Sequence, residues 1–388
     1  MYVEGKTVST LLRRLKMNCK KLLMRSGVIY LVFSMMVVSL AMMTSSCAKK
    51  EKVTSVEKEE TSTAKVPFNY KPITLKVNII TPPVAGYWEH CFKPLFDRIK
   101  EMTDGRVNYH VYFQNQLCSP IGSSDAVRAG IADFSWAVQG YTPGKFPLSS
   151  VVELPFLIPS PVVAIGSPIL RDLYEEFPEI RAEYKDWKVL WLQVHMAADI
   201  HSKKPITSLS DLKGMKILTQ PAEAKIEAMK ALGVTPLNID ISDFYLSLER
   251  GMANAAFMAW GAYEAMHIYE QASNHYLIAM LPVPCYYIMN KETFNKLLPH
   301  DQKVVETIFS LGGCGAMRDA LAWSRSRVIN GPCKDDTYIQ PTPEDIAKAR
   351  ALAKPIWDKW AADRDAQGLP GTKVLNRVLE LVEKYKDV

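Results

Sequence analysis

The residues able to do chemistry in this chain do not fall into the patterns that chemistry needs. Seven histidines are present, scattered so that no two sit at metal-ligand spacing, and the seven cysteines form no CxxC. Spacing therefore predicts no metal site. His90 adjoins Cys91, but neighbouring positions on a helix point in different directions, so the two make no nucleophile and base pair. No GxSxG, P-loop or HExxH occurs, and the cluster Gly312-Gly-Cys-Gly315 lies inside a helical pattern, not between a strand and a helix. None of the classical motifs for catalysis is present, and none calls for a cofactor.

The stretch 195–221 organises what remains. It leaves an apolar run at 189–194 that predicts a buried strand, then crosses a polar segment holding Lys203, Lys204 and Pro205. A short turn capped by Ser208 or Asp211 ends at Gly214, and 215–219 predicts a second strand. One α/β unit ends here and another begins, and such a junction is a common place for a small-molecule cleft.

Elements on either side agree. Residues 73–80 alternate as a strand, 87–103 place Trp88, Phe92, Leu95, Phe96 and Ile99 at helical spacing, and 107–113 alternate again. A helix at 125–129 and a buried strand at 132–138 complete β-α-β-α-β, the pattern of a parallel sheet. An extended apolar segment at 152–157 and a helix at 171–184 follow. Beyond the junction the pattern predicts helix 222–232, strand 235–239 and helices 242–250 and 263–273. Strands at 276–281 and 285–289, a long helix at 301–328 with weak points at Gly312, Gly313 and Gly315, a strand at 338–340, and closing helices at 343–365 and 372–385 end the chain.

The 388 residues are 48% hydrophobic and 23% charged, which suits one or two globular domains. Net charge is +6, but residues 1–46 hold seven bases and only one acid, Glu4, leaving 40 of each sign elsewhere. A neutral body offers no electrostatic case for nucleic acid. The basic excess belongs to a secretory signal: Lys20, Lys21 and Arg25, an apolar run at 28–43, and small residues before Cys47. That run of 16 residues is shorter than the ~20 a bilayer span needs. Thr44-Ser-Ser-Cys47 resembles a lipoprotein box with Thr44 in place of the usual Leu, so Cys47 is the expected lipidation site and an uncleaved anchor the alternative. Met17 is a more natural start than Met1. Residues 48–70, rich in Lys, Glu, Ser and Thr, predict a flexible tether. Of the five cysteines left, one or two disulfides are open to a secreted chain, with single buried thiols favoured.

A resemblance then covers residues 73 to about 360. ITLKVNIITPP, DGRVNYHVYFQNQL, AVRAGIADFSWAVQGYTPGKFPLSSVVELPFL, HSKKPITSLSDLKGMKI, ALGVTPLNIDISDFYLSLERGMANA and MNKETFNKLLP occur in the order found in the DctP-like extracytoplasmic solute receptors of TRAP transporters. The chain is similar to that family. The resemblance implies an α/β, two-domain periplasmic-binding-protein-like fold (type II-like), with a long domain-spanning helix and closing C-terminal helices. It implies a signal peptide at 1–46, a tether at 47–71 from lipidated Cys47, domain I at 72–197 plus about 283–325, domain II at 198–282, and C-terminal helices at 326–388 packing on both. It also implies a periplasmic protein that delivers a small organic acid to TRAP permease subunits without chemistry on it, to which the segment before Cys47 adds the expectation of a lipid anchor in a membrane.

Site positions follow residue by residue. In the family an Arg after the Leu-Lys-Gly turn takes the ligand carboxylate in a paired hydrogen bond, for which a planar fork of donors is suited. Gly-x-Lys-Ile-Arg reads here Gly214-Met-Lys-Ile-Leu218, so an apolar side chain stands at the decisive position, and a neighbouring family Arg position aligns near Ala198. Lys216 carries charge but is expected in solvent. Other implied ligand-binding positions are Tyr87, Val138, Gln139, Tyr141, His195, Gln220, Ile239, Met258, Trp260 and Tyr286. Tyr141, Met258, Trp260 and Tyr286 as a set suggest a roomier, more apolar pocket. The expected ligand is thus a monocarboxylate with an apolar or aromatic body. A C4-dicarboxylate receptor, a same-fold binding protein serving a sensor kinase and an enzyme on this scaffold are the alternatives.

Overall fold

Two strands far longer than the others set the architecture. The computed structural model describes residues 70–83 and 86–387, the Cys314 side chain excepted. The signal, Cys47 and most of the tether lie outside the described residues. The first half runs β1 (Ile73–Ile79), one wide helical turn at Trp88–Phe92, α1 (Lys93–Met102), β2 (Val107–Phe113), α2 (Ser123–Arg128), β3 (Phe134–Val138), α3 (Val162–Glu176) and α4 (Pro178–Glu183). Then β4 (Lys188–Ser202) crosses into the second half. That half holds β5 (Lys216–Thr219), α5 (Glu223–Ala231), β6 (Thr235–Asn238), α6 (Phe244–Glu249), β7 (Ala255–Met258) and α7 (Trp260–Ala265). The second long strand, β8 (Asn274–Met289), returns. It is followed by α8 (Lys291–Lys296), α9 (Pro299–Ile329), β9 (Thr337–Ile339), α10 (Pro343–Ala366) and α11 (Gly371–Tyr385).

The sheet has the order β2-β1-β3-β8-β4-β7-β5-β6, with β9 on β8. β1 pairs parallel with β2 and β3, and β5 pairs parallel with β6 and β7. Each trio is built from crossover connections, which parallel pairing requires. Between the trios β4 and β8 run antiparallel to one another and to their outer neighbours β7 and β3. The mixed α/β fold expected from the sequence is the fold found.

Departures from expectation have local causes. The two strands expected at 276–281 and 285–289 are one, running through Pro282 and Pro284. A proline cannot donate to a ladder, but here the register shifts between His195 and Ala198, opposite Val283 and Leu281, so the ladder is already interrupted where Pro282 sits. The strand expected at 189–194 continues to Ser202, because its polar residues find partners on both sides. The helix expected at 171–184 breaks at Pro178, which opens α4 because it cannot continue α3. Part of the segment expected to be extended at 152–157 is the end of a 3₁₀ turn, Ser149–Glu153. Cys91, Cys118, Cys285 and Cys333 are free thiols.

Helix α9, about 46 Å long at 1.5 Å per residue, touches α1 and β4 of the first half and α7 of the second. The glycines expected to bend it do not break it. A Cβ on Gly312 would come within 3.0 Å of Leu95, so a small residue is what lets α9 lie against α1. At its far end Arg327 and Ser324 both donate to the buried Glu264 of α7. The closing helices pack on both halves, α10 on α5 and α11 on α3.

Candidate functional site

The site forms where β4 and β8 lose register. In a regular strand residues three apart face opposite ways. The irregularity between His195 and Ala198 turns both towards one cavity, with Val283 of β8 beside them. Ile80, Trp136, Val138 and Tyr141 line it from the first half, and Gln220, Lys225, Met258 and Met266 from the second. The cavity volume is about 50 Å³.

One wall is aromatic. Tyr87 and Trp136 lie with ring centroids 4.9 Å apart, and the His195 ring stacks near both, at 6.3 Å and 5.7 Å with interplanar angles of 14° and 25°. Burial pushes His195 down to about 3, so at neutral pH the ring is uncharged. Its Nε2 has no hydrogen-bond partner, and neither has the Thr81 hydroxyl on the same cavity. Tyr87 reaches this place because position 261 is glycine: a Cβ there would overlap the Tyr87 hydroxyl. Burial raises the Tyr87 and Tyr141 phenols, which stay protonated and able to donate.

The cavity also has a lysine in its lining. Lys225, in the first turn and a half of α5, is only 2% exposed and lines the cavity. Its Nζ donates to Gln220 Oε1 at 3.2 Å and lies 3.7 Å from Glu153 Oε1, an ion pair longer than a hydrogen bond. Glu153 is itself 3% exposed, and that oxygen has no donor. Burial raises the Glu153 carboxyl, against the pull of the Lys225 charge. A buried ammonium with one neutral partner and one distant carboxylate is under-satisfied and suited to a further anion. Among the described residues lining the cavity it is the one lysine or arginine.

Of the sequence-derived positions, Tyr87, Val138, Tyr141, His195, Gln220 and Met258 line this cavity, as does Ala198. The other five lie elsewhere. Leu218 is buried in the core of the second half with Phe244 and Trp260. Ile239 packs against the edge of that core. Trp260 turns its indole N–H to Asp199 Oδ2 at 2.9 Å. Gln139 donates to the Tyr184 hydroxyl at 2.6 Å. Tyr286 packs on Phe146, with centroids 5.6 Å apart. Lys216 is exposed, as expected. Sequence reasoning passed over Lys225 and Trp136. A signal existed for the first: Lys225 shares the i, i+3, i+4 stripe with Ala228 and Met229, both buried, and a charge on an apolar stripe calls for a partner.

The cavity is lined from both sheet halves and combines aromatic residues, an uncharged histidine and a buried lysine. Comparison with known proteins places it. Residues 85–363 match the family described as bacterial extracellular solute-binding protein, family 7, or DctP. The chain belongs to this family.

The DctP-like resemblance drawn from the sequence is therefore borne out. A 2,3-diketo-L-gulonate-binding periplasmic protein of Escherichia coli is 22% identical over 272 residues, 70% of this chain and 82% of that protein. A marine metagenome TRAP solute binding protein specific for aromatic acid ligands, in complex with 3-hydroxybenzoate, superposes with a TM-score of 0.74 at 24% identity, over 81% of this chain and 99% of its own. A TRAP solute binding protein from Rhodoferax ferrireducens in complex with copurified benzoate gives the same TM-score, identity and coverage. These likenesses show the fold. The family is one of solute-binding proteins. No helix among the described residues is long and apolar enough to cross a membrane.

Proposed function

We propose that this protein is the solute receptor of a TRAP transporter and that its ligand is a monocarboxylate with an aromatic or apolar body. The observation that carries the reading is Lys225, a buried lysine lining the same cavity as the aromatic residues Tyr87, Trp136 and His195. The carboxylate takes the Lys225 ammonium and displaces its long contact with Glu153, while the body lies along Tyr87, Trp136 and His195. Met258, Met266 and Val283 close over its edges. A charge-assisted hydrogen bond supplies orientation and apolar burial supplies most of the affinity. The aromatic acids named for two of the solved relatives support this class.

The lining comes from both halves and is almost wholly buried, so the ligand reaches the cavity only when the halves part about β4 and β8. The division into 72–197 plus about 283–325 and 198–282, with 326–388 packed on both, describes those moving parts. Hinge closure of this kind is a common response to ligand. The closed form is then the one a permease recognises, from a periplasmic protein held to the membrane through Cys47.

Isothermal titration of the wild-type chain and of Lys225→Met with benzoate, 3-hydroxybenzoate, succinate and galacturonate tests the reading. The expected result is binding of the aromatic acids by the wild type, lost or greatly weakened in K225M. Preference for succinate or galacturonate, or equal binding by K225M, overturns it.

A further inference from the structure

Away from the ligand cavity, the fold gathers three donor atoms that lie far apart in the sequence. His275 Nε2, Cys333 Sγ and an Asp336 carboxylate oxygen all lie within 4.8 Å of one another. His275 and Cys333 are fully buried and Asp336 is partly exposed. β8 supplies the histidine, and the segment between α9 and β9 supplies the other two. Pairing of β8 with β9, His275 against Tyr338, holds the two pieces together.

Hydrogen-bond polarity shows what this cluster lacks. His201 Nε2 lies 3.2 Å from the Met258 carbonyl, which can only accept, so that nitrogen carries the hydrogen. His201 Nδ1 is then bare and accepts from His275 Nδ1–H at 2.9 Å. A neutral His275 must therefore present a bare lone pair at Nε2. That lone pair faces Asp336 Oδ2, an acceptor, at 3.0 Å. Two acceptors pointed at each other in a buried place need a positive centre between them. Either a second ring proton or a metal ion supplies it.

The third donor, Cys333, is what favours the metal ion: 3.0 Å between His275 Nε2 and Asp336 Oδ2 is itself a hydrogen-bond distance, and with metal-to-nitrogen and metal-to-oxygen bonds of ~2.0–2.1 Å tetrahedral ligands sit about 3.3 Å apart, so an ion would part that pair slightly. A ligating histidine is normally oriented by a hydrogen bond from its other nitrogen, and the relay through His201 to Met258 provides that support. The Tyr263 hydroxyl donates to the Ala272 carbonyl at 2.9 Å, so across its 3.3 Å contact with Cys333 the thiol is the donor. That leaves the sulfur lone pairs free, and coordination would release the thiol proton to solvent. We propose that His275, Cys333 and Asp336 form a mononuclear site for a Zn²⁺-type ion, with a fourth position open on the partly exposed Asp336 side. The mixed nitrogen, sulfur and oxygen set is of the kind zinc accepts. Spacing along the chain could not show this, because the three residues meet only through the β8 and β9 pairing.

The site would tie the lead-in of the closing helices to the long strand β8. Its relay ends on Met258, whose side chain lines the ligand cavity. The test is titration of the full secreted chain, stripped with chelator, with Co²⁺ followed by absorbance, and with Zn²⁺ followed by metal analysis and thermal shift. The proposal expects one equivalent bound, a thiolate-to-cobalt charge-transfer band, and a higher melting temperature. It expects the band to vanish in Cys333→Ser, and affinity to fall at least roughly tenfold in Asp336→Asn. A wild-type chain that binds no metal overturns it and leaves a proton at the junction, as does a band that persists in C333S. Should C333S not fold, unchanged affinity in D336N overturns it alone.

Discussion

In the proposed reading ligand choice turns on Lys225, because the position where the resemblance places an arginine is filled by Leu218, and Leu218 is buried in the core of the second half. A guanidinium fixes a carboxylate by two parallel bonds, whereas an ammonium is a point charge that tolerates more than one approach. Removing it in K225M should cost the charge-assisted hydrogen bond, about 1.5–3 kcal/mol, seen in titration as roughly 10- to 150-fold weaker binding. His195 supplies a second prediction. Its folded value of about 3 lies below the ordinary 6.5, so in the window between them the unfolded chain binds the extra proton. Stability is therefore fully present above about 6.5 and is lost as pH falls towards 3. His195→Gln should flatten that acid limb of a melting-temperature profile; an unchanged slope would show that His195 is not the group responsible. The sequence made His195, Gln220, Tyr141 and Met258 legible through motif order. It did not single out Lys225, since a lysine in a short amphipathic helix normally reaches solvent and only the packing of α5 against Glu153 shows otherwise.

At the scale of elements, the site depends on an irregularity matched across two strands. Opposite the shifted register of β4, Ala279 of β8 adopts the left-handed conformation with φ of 45°, which costs a non-glycine residue about 1–2 kcal/mol. Asp199 holds this pair of distortions: one oxygen accepts from the Ala279 N–H at 2.8 Å and the other from the Trp260 indole. Burial pushes the Asp199 carboxyl up to about 6 against the pull of those two donors. The folded chain thus binds the extra proton between about 3.8 and 6, and stability falls as pH rises through that window, opposite in sign to His195. Asp199→Asn should remove the fall in a calorimetric pH series while lowering stability by roughly 1–3 kcal/mol for the acceptor lost. α7 adds a steric requirement, since Gly261 gives room to Tyr87. Gly261→Ala should displace the Tyr87 ring, destabilise by about 1–3 kcal/mol, and weaken aromatic ligands more than aliphatic ones. The short elements were legible from period and punctuation. The two long strands were not, because prolines and polar residues normally end a strand, and here they mark the crossing between halves.

For the whole molecule, two sheet halves share β4, β8 and α9, and the ligand cavity lies between them. The α/β class, the first β-α-β trio, β5 and β6 of the second, and the closing helices were legible in hydrophobic period; β7 was not, because four small or apolar residues in a row carry no alternation. The family was legible in six ordered motifs. What the sequence could not show was closeness between distant residues: Lys225 to Glu153, Trp136 to His195, and His275 to Cys333 and Asp336. A body with equal numbers of acids and bases exerts little long-range pull on an anion, so added salt should change the association rate for ligand only slightly in stopped-flow measurements. At the other end of the chain, Cys47→Ala should release the protein from membranes and remove the mass of its acyl chains; unchanged partitioning and mass would rule out lipidation there. The central claim is that one buried lysine and one aromatic wall select the ligand. A calorimetric titration of benzoate into wild type and K225M, beside succinate and galacturonate, measures that directly. Benzoate should bind the wild type and bind K225M at least roughly tenfold more weakly, with the other two acids weaker throughout. Tighter binding of succinate or galacturonate, or benzoate binding indifferent to residue 225, would contradict it.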